Sequence, residues 1–283
     1  STEPDDGGTD TITVGDSDDI VIGGEDGEII DDVQIAGMTI LAPVTILSGS
    51  TGDVVLAGQG NNLVFGDSGT IAAAKVDKPG GNFSSQPMTL GLVTTISPTT
   101  GGNDTITTGL GKDIVLGGLG SDVVIANATE NYDRALTDAA HPRDGDNIVF
   151  GDHGTIDWTA VDRTYPFEAG FGLGDDADAS DIDRISTTNP NDGGNDRIRT
   201  GAGYDFIFGG TGDDEIRAGA GNDLVFGDHG RLDAVDHGAI KGGVVARALP
   251  LSGGYAGLAF EGLTGLQDPF TFRSIDTSNS TPP

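Results

Sequence analysis

Gly201-Ala202-Gly203-Tyr204-Asp205-Phe206-Ile207-Phe208-Gly209, then Gly210-Thr211-Gly212-Asp213-Asp214-Glu215-Ile216, then Gly219-Ala220-Gly221-Asn222-Asp223-Leu224-Val225, restate one phrase every nine residues. An acid closes each Gly-rich run, and an aliphatic residue follows it by two. With Asp196 in front, the series runs Asp196/Ile198, Asp205/Ile207, Asp214/Ile216 and Asp223/Val225. The same rule gives Asp104/Ile106, Asp113/Val115, Asp122/Val124 and Asn147/Val149. Nearer the amino end it gives Asp10/Ile12, Asp19/Val21, Asp53/Val55 and Asn62/Val64. Every aliphatic slot is filled, which marks a structural period rather than a compositional bias.

Alternate glycines let the backbone turn tightly with φ > 0, where a Cβ would clash. The three residues around each acid-plus-two position read as a short strand, whose central aliphatic side chain points inward while its neighbours point out. Two nonapeptides then make one coil with a turn at either edge. Turns on the same edge lie 18 residues apart, as Asp196 and Asp214 or Asp205 and Asp223 do. Stacked coils are about 4.8 Å apart, so one ion between them reaches two acids and the carbonyls of both turns. Such all-oxygen sites suit Ca²⁺ rather than zinc or copper.

The phrase resembles Gly-Gly-x-Gly-x-Asp-x-U-x, where U is aliphatic, the repeat of the RTX (hemolysin-type calcium-binding) family. That resemblance implies an all-β fold, a parallel β-roll or β-solenoid of nonapeptide turns holding several Ca²⁺ ions. The candidate ligands are Asp10, Asp19, Asp53, Asn62, Asp104, Asp113, Asp122, Asn147, Asp196, Asp205, Asp214 and Asp223. Asn62 and Asn147 offer only an amide oxygen, so their sites are expected to be weaker.

A longer period overlies the short one. The Gly-Gly pairs ending at Gly8, Gly102 and Gly194 are spaced by 94 and then 92 residues. Each set of four nonapeptides leads into Phe65-Gly66-Asp67-Ser68-Gly69, Phe150-Gly151-Asp152-His153-Gly154 or Phe226-Gly227-Asp228-His229-Gly230. These phrases read as terminating turns: Asp67, Asp152 and Asp228 complete the last metal site, and Ile71, Ile156 and Leu232 join the core. Irregular β segments follow and return through Val93-x-x-Ile96, Ile182-x-x-Ile185 and Phe272-x-x-Ile275. The chain therefore divides into three tandem modules, 1–96 with an insertion at 25–49, 97–186 with an insertion at 127–144, and 187–283. It stops where a fourth Gly-Gly is due, which predicts a piece of a longer array.

Composition sets the outer limits. Lys and Arg total 14 against 45 Asp and Glu, a formal net charge of -31. Such a surface repels DNA, RNA and anionic lipid, and it resists compaction until cations neutralise it. There is no cysteine, so disulfides and thiolate metal sites are ruled out. The first residues are acidic and Gly-rich, unlike a signal peptide. The longest apolar stretch, Met38 to Leu47, is broken by Pro43 and too short to span a bilayer. No membrane insertion is expected.

Other features carry less. Gly66-Asp67-Ser68-Gly69 looks like a serine-protease nucleophile phrase, but His153 and His229 fill the Ser68 slot in the sister modules, and no triad order accompanies it. The two histidines read as surface-turn residues rather than zinc ligands. Asp176-x-Asp178-x-Ser180 opens like an EF-hand loop, but Asp181 and Thr187 stand at the Gly and Glu positions, so 175–183 reads as a solvated acidic loop. Segment 29–47 reads as a hairpin packed on the stack. Trp158, Tyr165, Phe167, Phe171, Tyr255, Phe260, Phe270 and Phe272 read as covers for the ends of each short stack.

The functional expectation is a non-enzymatic, calcium-binding structural region that folds on meeting Ca²⁺ after secretion. It would serve as the rod or extender of a secreted or bacterial surface adhesin, exported through a type I channel. Its partners would be calcium ions, neighbouring modules of the same array, and a cell-surface or glycan ligand. The alternative is the calcium-binding part of a larger secreted enzyme or toxin.

Overall fold

The computed structural model describes residues 8–24, 52–74, 88–130, 143–159, 182–234 and 272–277. The expected hairpin at 29–47, nearly all of 175–183, and Tyr165, Phe167, Phe171, Tyr255, Phe260 and Phe270 lie outside them. The described residues form eighteen strands and no helix. None is therefore a helix able to cross a membrane.

The first module contributes β1 (Thr11–Thr13), β2 (Ile20–Ile22), β3 (Val54–Leu56), β4 (Leu63–Phe65), β5 (Gly69–Ala73) and β6 (Leu90–Thr95). The second contributes β7 (Thr105–Thr107), β8 (Ile114–Leu116), β9 (Val123–Ile125), β10 (Ile148–Phe150), β11 (Gly154–Asp157) and β12 (Arg184–Thr187). The third contributes β13 (Arg197–Arg199), β14 (Phe206–Phe208), β15 (Glu215–Arg217), β16 (Leu224–Phe226), β17 (Arg231–Ala234) and β18 (Phe272–Asp276).

These strands assemble into three six-stranded sheets, to each of which every module gives two strands. The first sheet is parallel, in the order β1-β3-β7-β9-β13-β15, and the second is parallel, in the order β2-β4-β8-β10-β14-β16. Alternate nonapeptides feed alternate sheets, which is the roll expected from an 18-residue coil. The aliphatic slots fall into register row by row. Ile12, Val55, Ile106, Val124, Ile198 and Ile216 align across the first sheet. Val21, Val64, Val115, Val149, Ile207 and Val225 align across the second. Together these two rows supply most of one core. Pairing runs unbroken from β3 to β7, β4 to β8, β9 to β13 and β10 to β14, so the three modules form one continuous stack of six coils.

The segments read as irregular are in fact regular. β5, β6, β11, β12, β17 and β18 form a third, antiparallel sheet running the length of the roll. Its central register row is Ile71, Val93, Ile156, Ile185, Leu232 and Ile275. This sheet covers the outer face of the second. Leu63, Phe65, Ile114, Leu116, Ile148, Phe150, Phe206 and Phe208 therefore pack in a second core with Val93, Ile156, Ile185 and Leu232. The expectation that the neighbours of each aliphatic slot point to water fails here. On the first sheet the corresponding pairs include Arg197/Arg199 and Glu215/Arg217, whereas on the second they are aliphatic or aromatic throughout. Burial on both faces is thus general in the middle of the second sheet, whereas on the first it is confined to strands such as β7. Trp158 is buried in this second core rather than capping a stack end.

The first and second modules each lead into the next through a turn with proline at its second position: Thr100 N–H donates to Ser97 O and Asp192 N–H to Asn189 O, both at 3.0 Å. An Arg184–Asp233 ion pair of 3.0 Å ties the second module to the third within the antiparallel sheet.

Candidate functional site

The two edges of the roll carry the acids in two columns. In the first, the backbone N–H of Asp10 donates to Oδ1 of Asp53 at 2.7 Å. That step recurs from Asp53 to Asp104 at 2.6 Å, Asp104 to Asp122 at 2.7 Å, Asp122 to Asp196 at 2.8 Å and Asp196 to Asp214 at 2.9 Å. The second column runs Asp19, Asn62, Asp113, Asn147, Asp205 and Asp223, with steps of 3.2, 2.8, 2.8, 2.8 and 3.3 Å. Below Asp10 and Asp19, which head the columns, one oxygen of each side chain is thereby spent holding the coil before it.

The other oxygen sets the chemistry. In the first column, Oδ2 of Asp122, Asp196 and Asp214 is buried and accepts no hydrogen bond among the described residues. Each lies against a glycine backbone. A Cβ on Gly117 would meet Oδ2 of Asp122 and the carbonyl oxygen of Gly151, and the same pattern recurs at Gly151 with Asp196 and Gly209, and at Gly209 with Asp214 and Gly227. Glycine is required here for room. At Gly118 and Gly210, with φ of +115° and +113°, it is required for conformation as well. The result is a repeated cradle of one carboxylate oxygen and a glycine carbonyl of the neighbouring coil, with no donor to satisfy that oxygen among the described residues.

Burial and like charge act together on these groups. Asp122 is pushed well above the usual carboxylate range by burial, then by Asp104, Asp196 and Asp67. Asp196 rises to about 9, through burial and then Asp152. In the second column burial raises Asp113 and Asp205 to about 7. A closely stacked set of carboxylates held in this way calls for a cation. Among the described residues no three His, Cys, Asp or Glu side chains converge as a metal cluster. An ion here would draw on paired carboxylates and backbone carbonyls, hard oxygens suited to calcium.

The roll continues past the turns that carry Asp67 and Asp152. Asp67 accepts the N–H of Gly102 at 3.0 Å and of Leu119 at 2.5 Å. Asp152 accepts the N–H of Gly194 at 2.9 Å and that of Thr211. Each thus clasps two turns of the following module. Asp228 is exposed, at the far end of the stack. The aliphatic partners behave as expected at Ile156 and Leu232, which are buried, while Ile71 is half-buried. His153 is not a surface residue: it is buried, its Nε2 lies 3.2 Å from the Pro98 carbonyl, and burial lowers its pKa.

At Asn62 and Asn147 the ladder uses Oδ1, leaving an amide donor where the acids present Oδ2. Asn62 Nδ2 donates to Gly60 O and Asp113 Oδ1, both at 3.1 Å, and Asn147 Nδ2 donates to Asp144 Oδ2 at 2.9 Å. Two buried acids beside Asn147 escaped the sequence reading. Asp144 accepts the N–H of Gly111 at 3.1 Å, is raised to about 9 by burial, and adjoins Glu130. The irregular 127–144 insertion hid them, although Asp144 directly precedes Gly145-Asp146-Asn147, where the nonapeptide phrase resumes.

Residues 46–70, 99–127 and 191–227 match the family model of the RTX calcium-binding nonapeptide repeat, in four copies. Comparison with curated proteins and with solved structures gave no match. Over those three stretches the chain carries the RTX calcium-binding nonapeptide repeat.

Proposed function

We propose that this chain is a calcium-ordered structural region of a secreted or bacterial surface protein, the stiff stalk of an adhesin, with no catalytic role of its own. The observation that carries this reading is the line of buried, unsatisfied Oδ2 atoms of Asp122, Asp196 and Asp214, each facing glycine carbonyls. Ca²⁺ seated between coils at those atoms neutralises the stacked carboxylates, so folding and binding become one transition. Asp53 and Asp104 extend the same column, and Asp113, Asp205 and Asp223 form the other. Asn62 and Asn147 hold their neighbours through amide donors and add no charge to a site, which makes those layers the weakest for calcium.

The stalk assignment is supported by the unbroken pairing of all three modules. Each module lengthens the axis by two layers, about 10 Å, so the third sheet adds breadth and stiffness more than reach. Secretion fits a chain that stays unfolded where calcium is scarce and orders where it is millimolar.

Calorimetric titration with Ca²⁺, combined with counting of retained ions per chain, tests the reading. Several ions bound cooperatively with folding are expected, and a folded chain that retains none would refute it. The full-length gene product separates the stalk from the alternative: further modules of this kind support the stalk, and an attached catalytic domain supports the calcium-binding part of a secreted enzyme or toxin.

A further inference from the structure

Where the second column loses an acid at Asn147, two acids from outside the repeat stand beside it. Glu130 lies near the start of the 127–144 insertion and Asp144 at its end. Their side chains meet against the next coil: a Cβ on Gly201 would lie 2.6 Å from Asp144 Oδ2 and 2.6 Å from Glu130 Oε2. Both residues are buried, Asp144 at 7% exposure and Glu130 at 4%. Neither forms an ion pair with a cation among the described residues.

Both carboxylates are held but not saturated. Asp144 Oδ1 accepts the N–H of Gly111 at 3.1 Å, and Oδ2 accepts Nδ2 of Asn147 at 2.9 Å. Glu130 Oε1 accepts the N–H of Asp144 at 3.5 Å, and Oε2 accepts Nδ2 of Asn127 at 3.3 Å, both long for hydrogen bonds. Each carboxylate oxygen has a second lone pair. All four donors are neutral, so none cancels the charge, and two buried carboxylates this close repel. The other asparagine layer differs. Three residues before Asn62, in the place of Asp144, stands the neutral Gln59, whose Oε1 accepts the N–H of Leu110 at 3.1 Å.

A third oxygen points to a ligand independently. Asp205 closes the turn that contains Gly201 and is fully buried. Its Oδ1 accepts the N–H of Asn147 at 2.8 Å, while its Oδ2 accepts no hydrogen bond among the described residues. In the Asp113 layer the equivalent Oδ2 accepts the Thr108 hydroxyl at 2.6 Å. At Asp205 the matching hydroxyl, that of Thr200, donates to the Ala218 carbonyl at 2.8 Å instead. The charge of Asp205 also reaches the pair: burial, then Asp113 and Asp205, push Asp144 up to about 9.

We propose that Glu130 and Asp144 bind a Ca²⁺ ion of their own, outside the nonapeptide ligand set, with the unpaired Oδ2 of Asp205 beside them in the next layer. Ca²⁺ takes six to eight hard oxygens in flexible geometry, so backbone carbonyls and water complete its shell around the two carboxylates. The insertion thereby brings charge to the layer where Asn147 withholds it, and ties the second module to the Thr200–Asp205 turn of the third. The choice of Ca²⁺ rests on the function proposed above, whereas the meeting of the acids at Gly201 does not.

Glu130→Gln and Asp144→Asn each remove one charge and keep the hydrogen-bond acceptors. Calcium titration calorimetry and counting of retained ions on the full chain read the effect, with circular dichroism in saturating calcium reporting the fold. Each single variant is expected to weaken one binding step about tenfold, and the double variant to retain one ion fewer than the wild type. A crystal structure of the wild type grown in calcium gives a readout that needs no variant. An ion at about 2.3–2.6 Å from both Glu130 and Asp144 oxygens is expected. Ions in the nonapeptide turns with none at Glu130, or a double variant with the full ion count, would overturn this site and leave the nonapeptide reading standing. A chain that binds no calcium anywhere would overturn both.

Discussion

Asp122 concentrates the chemistry of this protein in one side chain. Its Oδ1 holds the coil before it, its Oδ2 has no partner among the described residues, and burial, then three other carboxylates, raise its pKa. Asp122→Asn removes one charge from a cation site but also removes buried repulsion. The calcium concentration for half-folding is expected to rise about tenfold, equivalent to about 1.4 kcal/mol. The metal-free chain should lose no compactness; dichroism-monitored calcium titration reads both effects. The pH response follows from the same atoms. Asp67, Asp144 and Asp196 are raised to about 9 and Asp113, Asp152 and Asp205 to about 7, all chiefly by burial. The native metal-free state therefore binds more protons than the unfolded one, whose aspartates titrate near about 3.9. Its stability is fullest below that value and is lost as pH rises through about 7 to about 9. In EDTA, the β-signal should be stronger at about pH 5 than at about pH 8. With calcium present, acidification should instead raise the calcium needed, because protons compete for the same oxygens. A metal-free chain that gains structure on alkalinisation would contradict this assignment.

Among the strands, those of the second sheet bear most of the packing. Phe150, Phe208 and Phe226 stack with centroids 4.8 Å apart at each step. Phe208→Ala is expected to cost about 3–5 kcal/mol, measured by chemical denaturation in saturating calcium, whereas truncating the exposed Val225 to Ala should cost far less. Gly118→Ala forces a side chain into φ +115°, a strain of about 1–3 kcal/mol. These contrasts show what could be read beforehand. The aliphatic slots were legible because period and burial coincide: each coil places one of them in each central row. The third sheet was not, because Ile71, Val93, Ile156 and Ile185 are separated by segments of unequal length and antiparallel pairing imposes no fixed spacing. A partial signal for it was present: Leu63/Phe65, Ile114/Leu116 and Phe206/Phe208 flank their aliphatic slots with apolar residues, whereas Arg197/Arg199 and Glu215/Arg217 do not, but Val54/Leu56 and Val123/Ile125 of the first sheet share the pattern. At the site, both acid columns could be counted from the nonapeptides. The clasping role of Asp67 and Asp152 could not, because it depends on where the next module lies.

For the molecule as a whole, one physical condition governs everything else: six coils place carboxylates in register at both edges, and neighbouring carboxylates repel unless a divalent ion lies between them. Hydrophobic rows alone would favour collapse, but with a net charge of -31 the chain has strong reason to stay expanded. Small-angle scattering of the same sample at neutral pH, in excess EDTA and then in millimolar Ca²⁺, measures this balance directly. An expanded chain without calcium, approaching the radius of gyration of about 60 Å expected for an unfolded chain of this length, and a sharp contraction on adding calcium, are the predicted results. An equally compact particle in both solutions would contradict the account.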